Sequence, residues 1–179
     1  PIYFSSALVS KEELKGILGG CFSPHYFPIE LVENLTHIQY LEFKDASKII
    51  NSFCDVNSID LRHPGGATGY IFESNTGKFC YLLDHEYDEE SAPTIINASK
   101  DADFILWDGM FTDEELKMRK GWGHSSISQG ANFLDSTNAK KLAICHHSPY
   151  RNDKEMMILE RDVVSKNLFL AREGQIIKI

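Results

Sequence analysis

Three apolar stretches of this sequence end in residues that could bind a metal ion or transfer protons. KFCYLLD ends on Asp84, DFILWD ends on Asp108, and LAIC is followed by His146 and His147. Buried strands of an α/β sheet bring their carboxyl ends to a common edge, where ligand sites gather. Because carboxylates and imidazoles are ligands of divalent metals, this convergence predicts a metal site at one edge of a sheet.

The candidate ligands each have a structural alternative. Asp84 could cap the turn after its strand, or offer a hard oxygen that bridges two metal ions. Side chains alternate between the faces of a strand, so only one of His146 and His147 can point into a shared site. His63 precedes Pro-Gly-Gly, which fits either an ordinary tight turn or a loop wrapped closely around a ligand.

His124 is the candidate proton donor. It lies in GWGHSS, directly before a predicted helix whose N-cap is Ser125 or Ser126. It could pack on Trp122 as a loop histidine, or protonate a leaving group at the mouth of a site. In the second case Asp108 would fix its tautomer, as carboxylates beside functional histidines do; otherwise Asp108 caps the end of its strand.

The elements that must position these residues follow from local patterns. Ser and Thr caps, acidic first turns and helical spacing of apolar residues predict helices, and alternating or short apolar runs predict strands. The predicted helices are 10–20, 112–120, 125–138 and 153–166, and the predicted strands are 37–43, 69–74, 78–84, 103–108 and 141–148, with two short strands at the end of the chain. Strands dominate the first part and alternate with helices after residue 100. This order predicts an α/β fold, a mixed sheet with outer helices.

Composition limits the function classes. The chain has 179 residues, of which 42% are hydrophobic and 25% charged, so we expect a single domain over 1–179. Its net charge of -8 argues against wide contact with duplex nucleic acid. No apolar run is long enough to span a membrane. The cysteines show no CxxC spacing, and Cys54, Cys80 and Cys145 are predicted to be reduced core thiols in a cytoplasmic protein. Because the chain begins with Pro1, we expect it to start inside a longer product or to be processed.

Taken together, the motifs resemble a known superfamily. HPGGATGY, the hairpin ending in LLDHE, ADFILWDGMF, GWGHSS and AICHHSP occur in this order over about residues 1 to 165. They resemble the second half of metallo-β-lactamase-fold hydrolases, nearest to ribonuclease Z, phosphodiesterases of cyclic nucleotides and phosphonate-pathway phosphodiesterases. The resemblance implies a partial αββα sandwich.

The resemblance also implies roles for individual residues. His63 matches the third histidine ligand of the first metal, Asp84 the aspartate that bridges two metals, and His146 the histidine of the second metal. His124 matches a histidine that assists protonation of the leaving group, and Asp108 matches its acidic partner.

One departure from the family pattern limits this implication. The His-x-His-x-Asp-His signature, which supplies the other metal ligands, is missing from the sequence. We therefore expect the chain to be the C-terminal part of such a domain, to bind metal weakly by itself and to be inactive alone. The missing segment could also be a separate polypeptide, with which the chain would associate, or the chain could form a homodimer.

The predicted function is metal-dependent hydrolysis of a small or cyclic phosphodiester. The resemblance implies two divalent ions, with zinc favoured over manganese or iron, and attack by a metal-bridging hydroxide when the upstream half is present. Two alternatives remain open on the sequence. The chain could be an inactive remnant of the fold that serves as a binding module, or a di-iron redox protein.

Overall fold

The computed structural model describes residues 2–23, 25–26, 37–163 and 165–179. The chain divides into two compact units, residues 1–55 and 56–179. In the first unit, strands β1 (Ile2–Phe4) and β2 (Ile38–Tyr40) pair in parallel. The described residues of this unit form the helices α1 (Lys11–Cys21) and α2 (Phe43–Ile50).

The first unit follows its local sequence signals in one helix and departs from them at one strand. α1 begins as predicted, because Ser10 and Glu13 form a reciprocal capping box. The predicted strand 37–43 is too long. Glu42 is the N-cap of α2, and the helical spacing of Phe43, Ala46 and Ile50 outweighs the alternation that precedes it.

The second unit contains a six-stranded sheet in the order β3-β4-β5-β6-β7-β8. The strands are β3 (Asp55–Leu61), β4 (Ala67–Ser74), β5 (Gly77–Leu82), β6 (Phe104–Asp108), β7 (Leu142–Cys145) and β8 (Leu168–Leu170). β4 and β5 form the predicted antiparallel hairpin, and β5, β6, β7 and β8 run parallel. The carboxyl ends of β5, β6 and β7 therefore lie at one edge.

Four helices accompany this sheet. They are α3 (Ala92–Ser99), α4 (Asp113–Met118), α5 (Ile127–Thr137) and α6 (Asp153–Val163). The order strand, helix, helix, strand, helix after residue 100 is confirmed, and so is the fold class, a mixed sheet with helices packed outside. The sequence patterns did not predict α3, whose short apolar segment carries no side-chain cap.

The core of this unit lies on one face of the sheet. Ile71, Cys80, Ile105 and Leu142 occupy paired positions across four strands and belong to one buried cluster that also includes Phe133 of α5. β6 and β7 are buried along almost their whole length, as strands inside a parallel sheet are. This packing fixes the strand ends that carry the candidate ligands.

Two strands that lead to the site end earlier than predicted. The predicted strand 78–84 ends at Leu82, and the predicted strand 141–148 ends at Cys145. Asp84 has a φ of 55° and His146 a φ of 56°, in the left-handed region, which ends extended structure. The described residues near the C-terminus form one strand, β8, in place of the two that were predicted. No helix among the described residues is long and apolar enough to cross a membrane.

Candidate metal centre

The carboxylate of Asp84 lies at the centre of three imidazoles. Its Oδ1 is 3.4 Å from Nε2 of His146, 4.0 Å from Nε2 of His63 and 4.0 Å from Nδ1 of His124. Asp84 accepts no hydrogen bond from any of the described residues, although about half of its side chain is exposed. A carboxylate that lies near three imidazole nitrogens and accepts a hydrogen bond from none of them is in the position expected of a metal ligand.

The backbone at both strand ends supports this arrangement. Asp84 and His146 adopt left-handed φ values directly after β5 and β7, a conformation that costs non-glycine residues of order 1–3 kcal/mol. Asp and His are among the residues that tolerate it best. These turns follow the ends of two parallel strands, and they leave the Asp84 carboxylate and the His146 ring 3.4 Å apart.

His63 reaches the same point from the end of β3. Its Nδ1 lies 2.9 Å from the carbonyl oxygen of Pro64, to which it donates in the tautomer that this contact favours. In that tautomer Nε2, which faces Asp84, keeps its lone pair. The Pro-Gly-Gly turn therefore leaves the His63 ring ready to bind a cation.

His124 and Asp108 form a separate pair. Nδ1 of His124 donates to Oδ2 of Asp108 across 2.8 Å, and Asp108 is fully buried. Burial raises the pKa of Asp108, and the hydrogen bonds from His124 and from the Met110 amide oppose this rise. The pair holds the ring with Nε2 free for proton exchange, and the His124 and His146 rings stack 4.9 Å apart.

The distances alone do not decide which groups are ligands. One donor atom from each of Asp84, Asp108, His124 and His146 lies within 4.8 Å of the others. Nδ1 of His124 already donates a hydrogen bond to Asp108, and Asp108 also accepts hydrogen bonds from the backbone amides of His85 and Met110. Of these four residues, Asp84 and His146 make no such hydrogen bonds to the described residues. His63 lies outside this group of four, although its Nε2 is 4.0 Å from Asp84.

This donor set fits a divalent metal. Two ligands about 2.0–2.1 Å from one tetrahedral zinc ion are roughly 3.3 Å apart. The 3.4 Å between His146 and Asp84 matches this spacing. The 4.0 Å between His63 and Asp84 is longer, and His63 lies outside the group of donor atoms that are within 4.8 Å of one another. The set offers two imidazoles and one carboxylate, both common zinc ligands.

Neighbouring groups lie outside the cluster. Both ring nitrogens of His147 are buried, and burial lowers its pKa. Burial also raises the pKa of Cys145 to about 11, so that this residue is a thiol at neutral pH. All four cysteines are free. Of the histidine pair, the structure thus brings only His146 to Asp84.

Asp84, His85 and Glu86 are three consecutive polar residues after β5, but the structure places their side chains in different surroundings. The buried His85 ring packs edge-on against Trp107, with 4.6 Å between ring centroids. Glu86 is turned toward the loop at residues 121–124. The adjacency of the three residues in sequence gave no indication of these separate roles. The N-cap of α5 is Ser126, the second of the two candidates.

The buried His85 predicts acid sensitivity of the fold. Burial lowers the pKa of His85 from 6.5 to about 3. The unfolded chain then binds a proton that the folded chain excludes, so stability present above pH 6.5 is lost as the pH falls toward 3. We expect the free energy of unfolding in urea to fall by about 2 kcal/mol between pH 7 and pH 5 from this residue.

The variant His85→Phe tests this expectation, because phenylalanine keeps the aromatic contact with Trp107 and removes the proton-binding group. It should have a flatter dependence of unfolding free energy on pH than the parent chain. Equal slopes between pH 7 and pH 5 would show that His85 is not the source of the sensitivity.

Comparisons with known proteins agree with this fold. The family model described as a beta-lactamase superfamily domain matches residues 31–147, more than half of the chain. A ribonuclease Z of Prochlorococcus marinus is 32% identical over 106 residues, which are 56% of this chain and 33% of that protein. In fold, a long-form RNase Z from yeast has a TM-score of 0.61 at 15% identity over 85% of this chain and 24% of its own. A diphosphatase from the PhnP family has a TM-score of 0.59 at 15% identity over 97% of this chain and 56% of its own.

The chain belongs to the beta-lactamase superfamily, as a metallo-β-lactamase-fold protein similar to ribonuclease Z. Membership of this family implies binding of divalent metal. The chain spans about a third or less of the length of the curated ribonuclease Z relatives that it matches.

Proposed function

We propose that this chain provides part of the active site of a metal-dependent phosphodiester hydrolase. The observation that carries the proposal is the position of Asp84, within 4.0 Å of three imidazoles and hydrogen-bonded to none of the described residues. His63 would help to hold one metal ion and His146 a second, each through Nε2, and the carboxylate of Asp84, which lies within 4.0 Å of both rings, would be a ligand as well. When bound, divalent ions, for which we propose zinc, supply Lewis-acid activation of water and of a phosphoryl oxygen.

His124 is the proposed proton donor. Its Nδ1 is fixed by Asp108, so Nε2 is the atom that can carry a proton to a departing oxygen. Asp108 does not touch the substrate in this proposal. It keeps the ring in one tautomer and stabilises the positive charge that the ring carries when it is protonated.

The proposed substrate is a small phosphodiester. The net charge of -8 disfavours contact with a long phosphate backbone. The ribonuclease Z relatives carry a name that denotes action on RNA, so an RNA substrate is the outcome that would correct this part of the proposal. A short diester and an RNA place the same group, a phosphodiester, at the site, and only the flanking contacts differ.

The test is to express the whole reading frame that contains this chain, and to measure its metal content by mass spectrometry and its hydrolysis of bis(p-nitrophenyl) phosphate, cyclic nucleotides and precursor tRNA. We expect bound zinc, hydrolysis of the small diesters, and loss of activity on chelation that added zinc restores. A protein that binds no metal and cleaves none of these substrates contradicts the proposal. An iron absorption band in freshly purified protein would favour the redox alternative.

A further inference from the structure

Glu86 forms an unusual contact with the loop that carries His124. Its carboxylate is buried, with 5% of the residue exposed, and a single oxygen, Oε2, accepts two backbone hydrogen bonds. The donors are the amides of Gly121, at 2.7 Å, and Gly123, at 3.1 Å. Hydrogen bonds to an ionised acceptor are roughly twice as strong as neutral ones. Glu86 thus holds the loop backbone at the residue before and at the residue after Trp122.

The loop that Glu86 holds touches two imidazoles of the site. The backbone of Gly123 packs directly on the His63 ring, since a Cβ at residue 123 would lie 2.3 Å from Cδ2 of His63. The next residue is His124, whose ring lies 5.5 Å from that of His63. A shift of this loop would therefore move a ligand and the proton donor together.

Glu86 itself is not a ligand candidate, because its buried Oε2 already accepts two backbone hydrogen bonds from the loop. Gly121 and Gly123 both have left-handed φ values, 88° and 89°. In this conformation their amides point to one side of the loop, where the Glu86 oxygen lies. The contact joins the end of β5 to a loop 35 residues later in the chain.

We propose that Glu86 is a positioning residue of the candidate site, which holds the loop at residues 121–124 and through it orients the imidazoles of His63 and His124. The structural part of this proposal stands on the chain alone. Its consequence for metal binding rests on the proposed function.

The test separates the length of the side chain from its charge. Glu86→Gln keeps the length and an oxygen acceptor but removes the charge, whereas Glu86→Asp keeps the charge and withdraws the carboxylate by one methylene. Glu89→Gln removes a charge from an exposed residue of the same segment and serves as the matched control. All three are compared with the parent chain in the absence of metal.

Two reporters in nuclear magnetic resonance follow the imidazoles directly. One is the contact between the Gly123 α-protons and the His63 ring, and the other is the tautomer of His124 in long-range ¹H–¹⁵N spectra. We expect Glu86→Asp to lose the contact and to average the tautomers, while Glu86→Gln and Glu89→Gln resemble the parent. Unchanged reporters in both Glu86 variants would overturn the proposal. If Glu86→Asp does not fold, Glu86→Ala decides, since loss of either reporter in it supports the proposal and retention of both overturns it.

Zinc affinity gives a second readout. Residues that orient metal ligands typically change affinity by about 10–100-fold when they are substituted. We expect Glu86→Asp to bind zinc at least about tenfold more weakly than Glu86→Gln in calorimetric titrations. Equal affinities, with the reporters changed as expected, would retain Glu86 as a positioning residue and count against metal binding by these imidazoles. The two proposals can therefore fail separately.

Discussion

Replacement of Asp84 by asparagine is expected to abolish the proposed metal-dependent hydrolysis, with a loss of more than about a thousandfold in kcat/KM. The carboxylate oxygen is 3.4 Å from His146 and 4.0 Å from His63, and it is the one anionic group among these rings that accepts no hydrogen bond from the described residues. An amide has no negative charge to hold a cation at that point. Metal content should fall in parallel with activity.

The asparagine variant isolates the charge from the backbone. Asn tolerates the left-handed φ of 55° at residue 84, and the side chain is half exposed, so we expect a change in unfolding free energy of less than about 0.5 kcal/mol. Glu89→Gln, which removes an exposed charge nearby, should keep both metal and activity. Full activity in the Asp84→Asn variant would show that Asp84 is not a ligand.

Replacement of Gly123 by alanine is expected to have the second largest effect. The added Cβ would lie 2.3 Å from Cδ2 of His63 and 2.6 Å from Cδ of Pro64. Neither the ring nor the proline can yield without displacing the ligand, and a misplacement of about 1 Å at a site can cost about a hundredfold in rate. We expect a loss of activity of this order and weaker binding of zinc.

Gly121→Ala is the matched control for this variant. Gly121 has nearly the same φ, 88° against 89°, but a Cβ there would meet no atom within 4 Å. Both variants should lose about 1–2 kcal/mol of unfolding free energy from backbone strain. Only Gly123→Ala should add an overpacking cost of about 1–3 kcal/mol, and it should weaken zinc binding more than Gly121→Ala does. Equal zinc affinities in the two variants would mean that contact with Gly123 does not hold His63 in place.

Much of the fold follows from signals that act over a few residues. The hairpin of β4 and β5, the capped start of α1 and the alternation of elements after residue 100 depend on turn residues, caps and apolar spacing, which the sequence displays locally. The predicted strand ends were too late at residues 84 and 148, because apolar composition does not reveal where φ becomes positive. α3 was missed because its segment has no side-chain cap.

The sequence by itself determined which residue types stand at the ends of the apolar strands, and so that a site with carboxylates and imidazoles would form at one edge of the sheet. Only the tertiary structure decided which partner each of these residues contacts. His146, not His147, lies beside Asp84, and His124 forms a hydrogen bond with Asp108. His85 packs against Trp107, and Glu86 binds the loop at residues 121–124. These choices depend on backbone dihedral angles and on packing between segments as many as 60 residues apart, such as Gly123 on His63. Such contacts arise only when the strands have assembled, so no local pattern encodes them.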